Sequence, residues 1–415
     1  MAAIGLAFLY ATGIIYFVEL GLALIGVRWS VWNVSAIAGI VAALCWLAAG
    51  GWRLAKPVSA PPAASRGPRA SFTLIDLATL LTLVVYGLYA TVARVWEWDF
   101  WAIWGLKGRT FYDLGTIDWR FLESRWNDFV HPDYPLLLPL NYVYAALLGG
   151  SWNDRWIGLL TVAFGAALVL TVRGLVAREA KPLIASAIAF AATAFALSGF
   201  IGLAEGPLIA FAGAAILFIR RAILFDDASA MRHGALLAGL AASTKNEGTA
   251  LLVTIVIALA ISKPRLVVRM WPAFAVAAPW WIIRAIHQFP TDLARGSFAA
   301  RALGRAGAIR PIAALLVQTL NARSMWIAIL VALLVVPHAL RARERFVFLV
   351  FAFQIAIYLA IYLGTPFGVE WQIETSWPRL TGQLATPLLV VVMLMLARTF
   401  APEDDLAHAE ARPDH

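Results

Sequence analysis

Long apolar runs broken by short charged loops set the pattern of this chain. Apolar stretches lie near residues 3–26, 31–51, 73–95, 154–175, 182–203, 207–224, 234–244, 248–262, 266–286, 324–340, 345–363 and 381–399. A helix needs about 20 apolar residues to cross roughly 30 Å of hydrocarbon. The pattern therefore predicts an all-α, polytopic integral membrane protein of about 12 transmembrane helices, the seventh and eighth short. A further apolar piece, 136–149, is too short to span and contains Pro139 and Asn141, so it reads as a re-entrant or interfacial helix. Residues 3–26 are long and uncharged at the start, with no convincing cleavage site behind them. They are expected to be a first span rather than a removed leader.

Lys and Arg give the orientation. Segment 52–70 carries Arg53, Lys56, Arg66 and Arg69 among Pro, Ala and Ser, as expected for a cytoplasmic linker. Four more clusters follow: Arg173, Arg178 and Lys181; Arg220, Arg221 and Arg232; Lys263, Arg265 and Arg269; and Arg341, Arg343 and Arg345. All four fall on one side only if 136–149 does not cross. Both termini are then cytoplasmic, and the acidic tail 401–415 is expected to be disordered. The opposite face receives 96–134, the surroundings of Glu205 and Lys245, 287–323 and 364–380. Segment 288–323 breaks the charge rule with Arg295, Arg301, Arg305, Arg310 and Arg323 against Asp292. It reads either as an amphipathic helix on anionic headgroups or as a surface for a phosphate-bearing ligand. The expected organisation is two N-terminal helices (1–52), a linker (53–72), a central membrane module (73–286), an Arg-rich outer segment (287–323), C-terminal helices (324–400) and the tail (401–415).

Composition agrees with this class. Charged residues make up 14% of the chain and hydrophobic residues 62%, with a mean hydropathy of +0.79. Soluble domains carry roughly 25% charge. The lone cysteine, Cys45, excludes an intrachain disulfide and a cysteine-based metal site. The net charge of +9 sits mostly in short loops, with no basic surface domain to bind nucleic acid. The six histidines show no pair at metal-ligand spacing, and no metal or other cofactor is expected.

Against this background residues 96–135 stand apart, since they hold seven of the 24 acidic residues and six of the 18 tryptophans. Indoles favour the headgroup layer and carboxylates need water, so interfacial chemistry belongs here. Asp99, in Glu-Trp-Asp-Phe-Trp, is walled by indoles including Trp101. Partial desolvation of such a carboxylate suits a general base, although an ordinary interface or capping Asp has the same look. Lys107 falls near the Asp99 face if 99–112 is helical; a lysine snorkelling from an amphipathic helix is the plainer reading. His131, Asp133 and Tyr134 sit in a proline-bracketed turn where the chain returns to lipid. The prolines explain a turn but not three polar side chains in it.

Three more places hold charge where apolar residues are the rule. Glu205 is a lone carboxylate between apolar spans, which marks a functional candidate unless it lies in an exposed hairpin. Ser243 to Gly248 interrupts an apolar stretch. There Lys245 is placed to meet an anion, with Glu247 or Glu205 as counter-charge; a broken helix at membrane depth is tolerated where it lines a wet cavity. Arg379 stands at the expected start of the last helix, as a fork for phosphate oxygens or as a headgroup anchor.

Taken in order, these residues resemble the C-type glycosyltransferases (a GT-C-like arrangement), among them protein O-mannosyltransferases and lipid A aminoarabinose transferases. The resemblance covers roughly 90–400. It rests on Asp99 after the first span of the shared module, the proline-rich approach from His131 to Leu138, the second acid Glu205, the break at Thr244-Lys245-Asn246, and the Pro279-Trp280-Trp281 run. The wording around Asp99 and His131 is similar to a bacterial subset. Two departures are a Glu at 205, where the family often has Asp, and two extra spans before the module.

The resemblance implies an inverting transferase that moves a sugar from a polyprenyl-phosphate donor to an extracytoplasmic hydroxyl of a glycan, lipid or protein. Asp99 would be the base, with Glu205 also in the catalytic set. Lys245 and Arg379, with Lys107, would hold the donor phosphate. Trp101, His131, Asp133, Tyr134 and Glu247 would line the substrate site. The enzyme would sit in a bacterial inner membrane, as part of cell-envelope synthesis. Rival classes are a multi-span transporter or lipid flippase, another membrane transferase, and a scaffolding subunit. A carrier usually shows two similar halves, and segment 96–134 has no counterpart in the second half.

Overall fold

The computed structural model describes residues 1–48, 72–93, 97–197, 201–291, 296–321 and 324–400. The expected linker through residue 71, Trp96, Asp292, Arg295, Arg323 and the tail 401–415 lie outside the described residues. Among the described residues all regular structure is helical. Among the described residues eight helices are long and apolar enough to cross a membrane: Ala2–Leu24, Val31–Ala48, Leu74–Val92, Asp154–Val176, Glu205–Phe225, Pro264–His287, Arg345–Gly364 and Val369–Thr399. The chain is thus an all-α, multi-pass membrane protein by helix length and hydropathy.

The other four apolar stretches form shorter helices of 15, 15, 17 and 12 residues: Pro182–Ala196, Ala228–Ala242, Asn246–Ser262 and Ser324–Val335. Local chemistry sets several boundaries. Thr73 and Asp76 form a reciprocal capping box that starts Leu74–Val92. Asn153 and Asp227 cap their helices with side-chain oxygens. Gly115 and Gly150 end theirs at φ values of 73° and 70°, a backbone region that suits glycine. Pro337 separates Ser324–Val335 from the short helix His338–Arg343. Leu137–Gly149, at 13 residues, is a helix too short to span, as the sequence indicated.

The chain divides into two compact units. The first comprises Met1–Val130, Leu136–Thr193 and Phe200–Leu203. Within it Ala2–Leu24 packs along Asp154–Val176 and against Leu137–Gly149. The first crossing depends on a missing side chain: a Cβ on Gly5 would stand 2.3 Å from the Ala167 carbonyl oxygen and 2.5 Å from Thr171 Oγ1. Small residues let membrane helices approach where the hydrophobic effect gives no drive. Gly5→Leu is therefore expected to destabilise by about 1–3 kcal/mol, read as a lower unfolding midpoint in detergent; a wild-type midpoint would refute the crossing.

The same unit holds a buried ion pair. Arg173 donates to both oxygens of Asp76 at 2.8 and 3.2 Å, and Ser186 Oγ adds a bond of 3.0 Å. Three helices are tied by one carboxylate. Arg173 is consequently no free loop charge; it belongs to the last turn of its helix and is buried.

The second unit comprises His131–Pro135, Ala194–Gly199 and Ala204–His415. Glu205–Phe225 packs on Ala228–Ala242 and on Val369–Thr399, while Asn246–Ser262 packs on Arg345–Gly364. Arg220 grips Glu344 through two bonds of 2.6 Å, and Arg398 approaches the same carboxylate at 3.6 Å. The Arg-rich segment forms Phe298–Gly304 and Ile309–Asn321. Arg301 donates to the Gly364 carbonyl at 2.7 Å, and Arg305 to the Thr365 carbonyl at 2.6 Å. These arginines satisfy carbonyls left open at the end of Arg345–Gly364. Ile312 and Leu316 bury against Tyr358, Tyr362, Ile373, Trp377 and Leu380, so the amphipathic helix covers protein along one face.

One expected loop is absent. Residues 369–380 are already helical, within the 31-residue Val369–Thr399, so Arg379 lies inside that helix rather than at its start. The apolar count that set the boundary at 381 missed polar turns stabilised by packing: Ile373 and Trp377 are buried there.

Candidate functional site

Two charged side chains of the second unit, Lys245 and Arg379, converge on Glu205. This residue opens the helix Glu205–Phe225, where a carboxylate meets the positive end of the helix dipole. It is fully buried. Lys245 lies in an extended conformation between Ala228–Ala242 and Asn246–Ser262. Its break is fixed by Gly248, whose Cβ would fall 1.9 Å from the Ala241 carbonyl oxygen. The two helices meet so closely that the intervening residues must turn out of the helical path, and this frees Lys245 to point inward.

Lys245 Nζ donates to Glu205 Oε1 at 2.9 Å and contacts Glu247 Oε1 at 2.8 Å. Arg379 Nε and Nη2 reach the same Glu205 oxygen at 2.9 and 2.6 Å. One carboxylate oxygen thus gathers a lysine and an arginine from distant parts of the chain. The second oxygens of Glu205 and Glu247 are buried without a hydrogen-bond partner among the described residues. Burial alone would lower the Lys245 ammonium's pKa; the Glu205 and Glu247 carboxylates outweigh it and hold it above the ordinary lysine value. Lys245 accordingly keeps its charge through the neutral range.

The proline-bracketed turn lies in this unit as well. Asp133 is buried; its Oδ2 accepts from Asn246 Nδ2 at 2.7 Å and its carbonyl from Trp280 Nε1 at 3.2 Å. Tyr134 stacks on His131 with ring centroids 4.8 Å apart, and its ring centroid lies 6.0 Å from Lys245 Nζ. His131 adopts φ 51°, a left-handed conformation uncommon outside glycine, and strain of this kind persists where surrounding contacts hold it.

The structure therefore brings together Glu205, Lys245, Glu247, Arg379, His131, Asp133 and Tyr134 within one unit. Asp99, Trp101 and Lys107 belong to the other. Asp99 is half-buried and immediately precedes the π-helical turn Phe100–Trp104. Trp101 is exposed. Lys107 is not a snorkelling side chain: it is fully buried in Gly105–Leu114, with Nζ 5.5 Å from the Trp104 ring centroid. Arg109 instead forms an exposed pair with Asp113 at 3.0 Å.

Sequence reasoning missed Asn246 and Trp280 as partners of Asp133. Their signal was proximity to singled-out residues, since Asn246 follows Lys245 directly. It also missed two buried polar pairs inside spans, Thr254 with Gln354 at 3.0 Å and Tyr358 with Gln383 at 2.7 Å. A lone glutamine in an apolar run was the available clue. Among the described residues no group of three or more His, Cys, Asp or Glu side chains is arranged to hold a metal ion. No family model matches this chain, and neither a curated protein nor a solved structure matches it.

Proposed function

We propose that this protein is a membrane glycosyltransferase that uses a polyprenyl-phosphate-linked sugar, of the C-type kind its sequence resembles. The observation that carries the reading is the meeting of Lys245 and Arg379 on one buried oxygen. A buried lysine and a half-buried arginine are aimed at a common point, ready for an anion that competes with Glu205. Preorganised cations contribute most where charge develops during the reaction.

The acceptor hydroxyl oxygen attacks the anomeric carbon, and the bond from that carbon to the phosphate oxygen breaks. The polyprenyl phosphate leaves as an anion, with its new charge beside Lys245 and Arg379. Asp99 takes the acceptor proton, a role that rests on the sequence. A single displacement inverts the anomeric configuration. The acceptor is an extracytoplasmic glycan, lipid or protein hydroxyl, and the protein belongs in a bacterial inner membrane with both termini cytoplasmic.

A membrane assay with a radiolabelled polyprenyl-phosphate sugar tests the reading. Asp99→Asn is expected to lower transfer by about 10²–10⁴-fold, the usual contribution of a general base. Arg379→Ala should raise the donor KM and lower kcat together. Transfer that survives Asp99→Asn would remove that residue from the mechanism.

A carrier is the second reading, and one observation favours it. Glu19, inside the first span, is fully buried, and neither of its carboxylate oxygens has a hydrogen-bond partner among the described residues. Ionisable groups at such depth mark proton or ion paths in transporters. Substrate uptake by reconstituted vesicles, lost in Glu19→Gln and retained in Asp99→Asn, would select the carrier.

A further inference from the structure

We infer that Asp133 and Asn246 form a latch that positions Lys245, so that Asp133 acts through Asn246 rather than by touching substrate. The inference rests on the lipid-phosphate reading for its functional meaning and deepens that site.

Lys245 has no regular element of its own to aim it. It is the extended residue between two helices, and its direction follows from where the next helix begins. Asn246 is the first residue of that helix. The Asn246 amide donates to Asp133 at 2.7 Å, a charge-assisted bond in which the acceptor is buried. Asp133 is itself held from the other side, because Trp280 donates to its carbonyl. Trp280 is buried in Trp271–His287, so the turn is anchored to a membrane helix. The next residue, Tyr134, presents its ring to the Lys245 ammonium. Asp133 thereby fixes both the backbone that carries Lys245 and the aromatic ring beside it.

Exchanging the two side chains keeps one amide facing one carboxylate, whereas either single change does not. Asn246→Asp alone sets two carboxylates against each other in a buried place. Combining it with Asp133→Asn restores the bond with its direction reversed, the amide now donating from the turn to the helix. Asn246→Ala removes the donor with less disturbance and guards against a variant that fails to fold.

The test uses the full chain in lipid nanodiscs. Trace acetylation of Lys245 with acetic anhydride, followed by mass spectrometry, reads how firmly the ammonium is held by its carboxylates. Farnesyl phosphate binding is measured on the same samples. Asn246→Asp and Asn246→Ala are expected to speed Lys245 acetylation by about tenfold and to weaken farnesyl phosphate by a similar factor. The D133N/N246D exchange should return both to within about threefold of wild type. Wild-type acetylation in both single variants, or no recovery in the exchange, overturns the latch. Absence of farnesyl phosphate binding to the wild-type chain would instead count against the lipid-phosphate reading and leave the acetylation result standing.

Discussion

Glu205→Ala is expected to destabilise the second unit by about 3–5 kcal/mol and to abolish transfer, because it takes from buried Lys245 and half-buried Arg379 the one oxygen that both contact, leaving Lys245 with Glu247 as its charged partner. The large effect comes from the partners left behind. A buried ion pair adds little net stability over an apolar packing of the same shape, since desolvation offsets attraction. Removing one member exposes the uncompensated cost of the others. Two further variants separate these contributions. Glu205→Gln keeps the shape and two polar atoms and should destabilise less. A triple change of Glu205→Leu, Lys245→Met and Arg379→Met should be more stable than Glu205→Ala, although it removes all three of these charges. Unfolding midpoints of the purified chain in detergent check the order. A Glu205→Ala midpoint equal to wild type would show that the cluster is solvated, and the case for a preorganised anion site would go with it.

The same energetics explain which residues were legible in the sequence. Charge inside an apolar run is costly, so Glu205 and Lys245 announced themselves by position, and Asp133 by its place at the return to lipid. Their convergence was not legible. Glu205 and Arg379 are 174 residues apart in sequence, and periodicity carries no information over that distance. Arg173 and Arg220 were misleading for a related reason. Each stands at the end of an apolar run, where a free loop charge and a buried partner look alike. Their carboxylates, Asp76 and Glu344, lie 97 and 124 residues away. The arginines of 288–323 suggested an anion surface by composition, but Arg301 and Arg305 are engaged by backbone carbonyls that no composition reveals. Span lengths were readable where the helix runs on undisturbed. The break at Lys245 was signalled by polar residues, whereas the close crossing that enforces it depends on Gly248 meeting Ala241 in space.

Glu344 supplies the control that separates stability from chemistry. It accepts two bonds of 2.6 Å from Arg220 and is almost completely buried, with Arg398 at 3.6 Å. The bidentate geometry is specific to a carboxylate of that length facing a guanidinium fork. Glu344→Ala should therefore destabilise by about 3–5 kcal/mol, as much as Glu205→Ala, by stranding Arg220 in the helix Glu205–Phe225. Glu344→Asp should lose part of that, since a shorter side chain cannot keep both bonds at full strength. Glu205 begins the helix and Arg220 lies near its other end, some four turns away at about 3.6 residues per turn. The first-turn site should thus keep its geometry in any molecule that remains folded. Transfer per folded molecule, scored at a temperature well below the lowered midpoint, is expected to match wild type for Glu344→Ala and to vanish for Glu205→Ala. Equal loss of transfer in both variants would mean that the Glu205 cluster contributes stability alone, and the assignment of Lys245 and Arg379 to a donor phosphate would have to be abandoned.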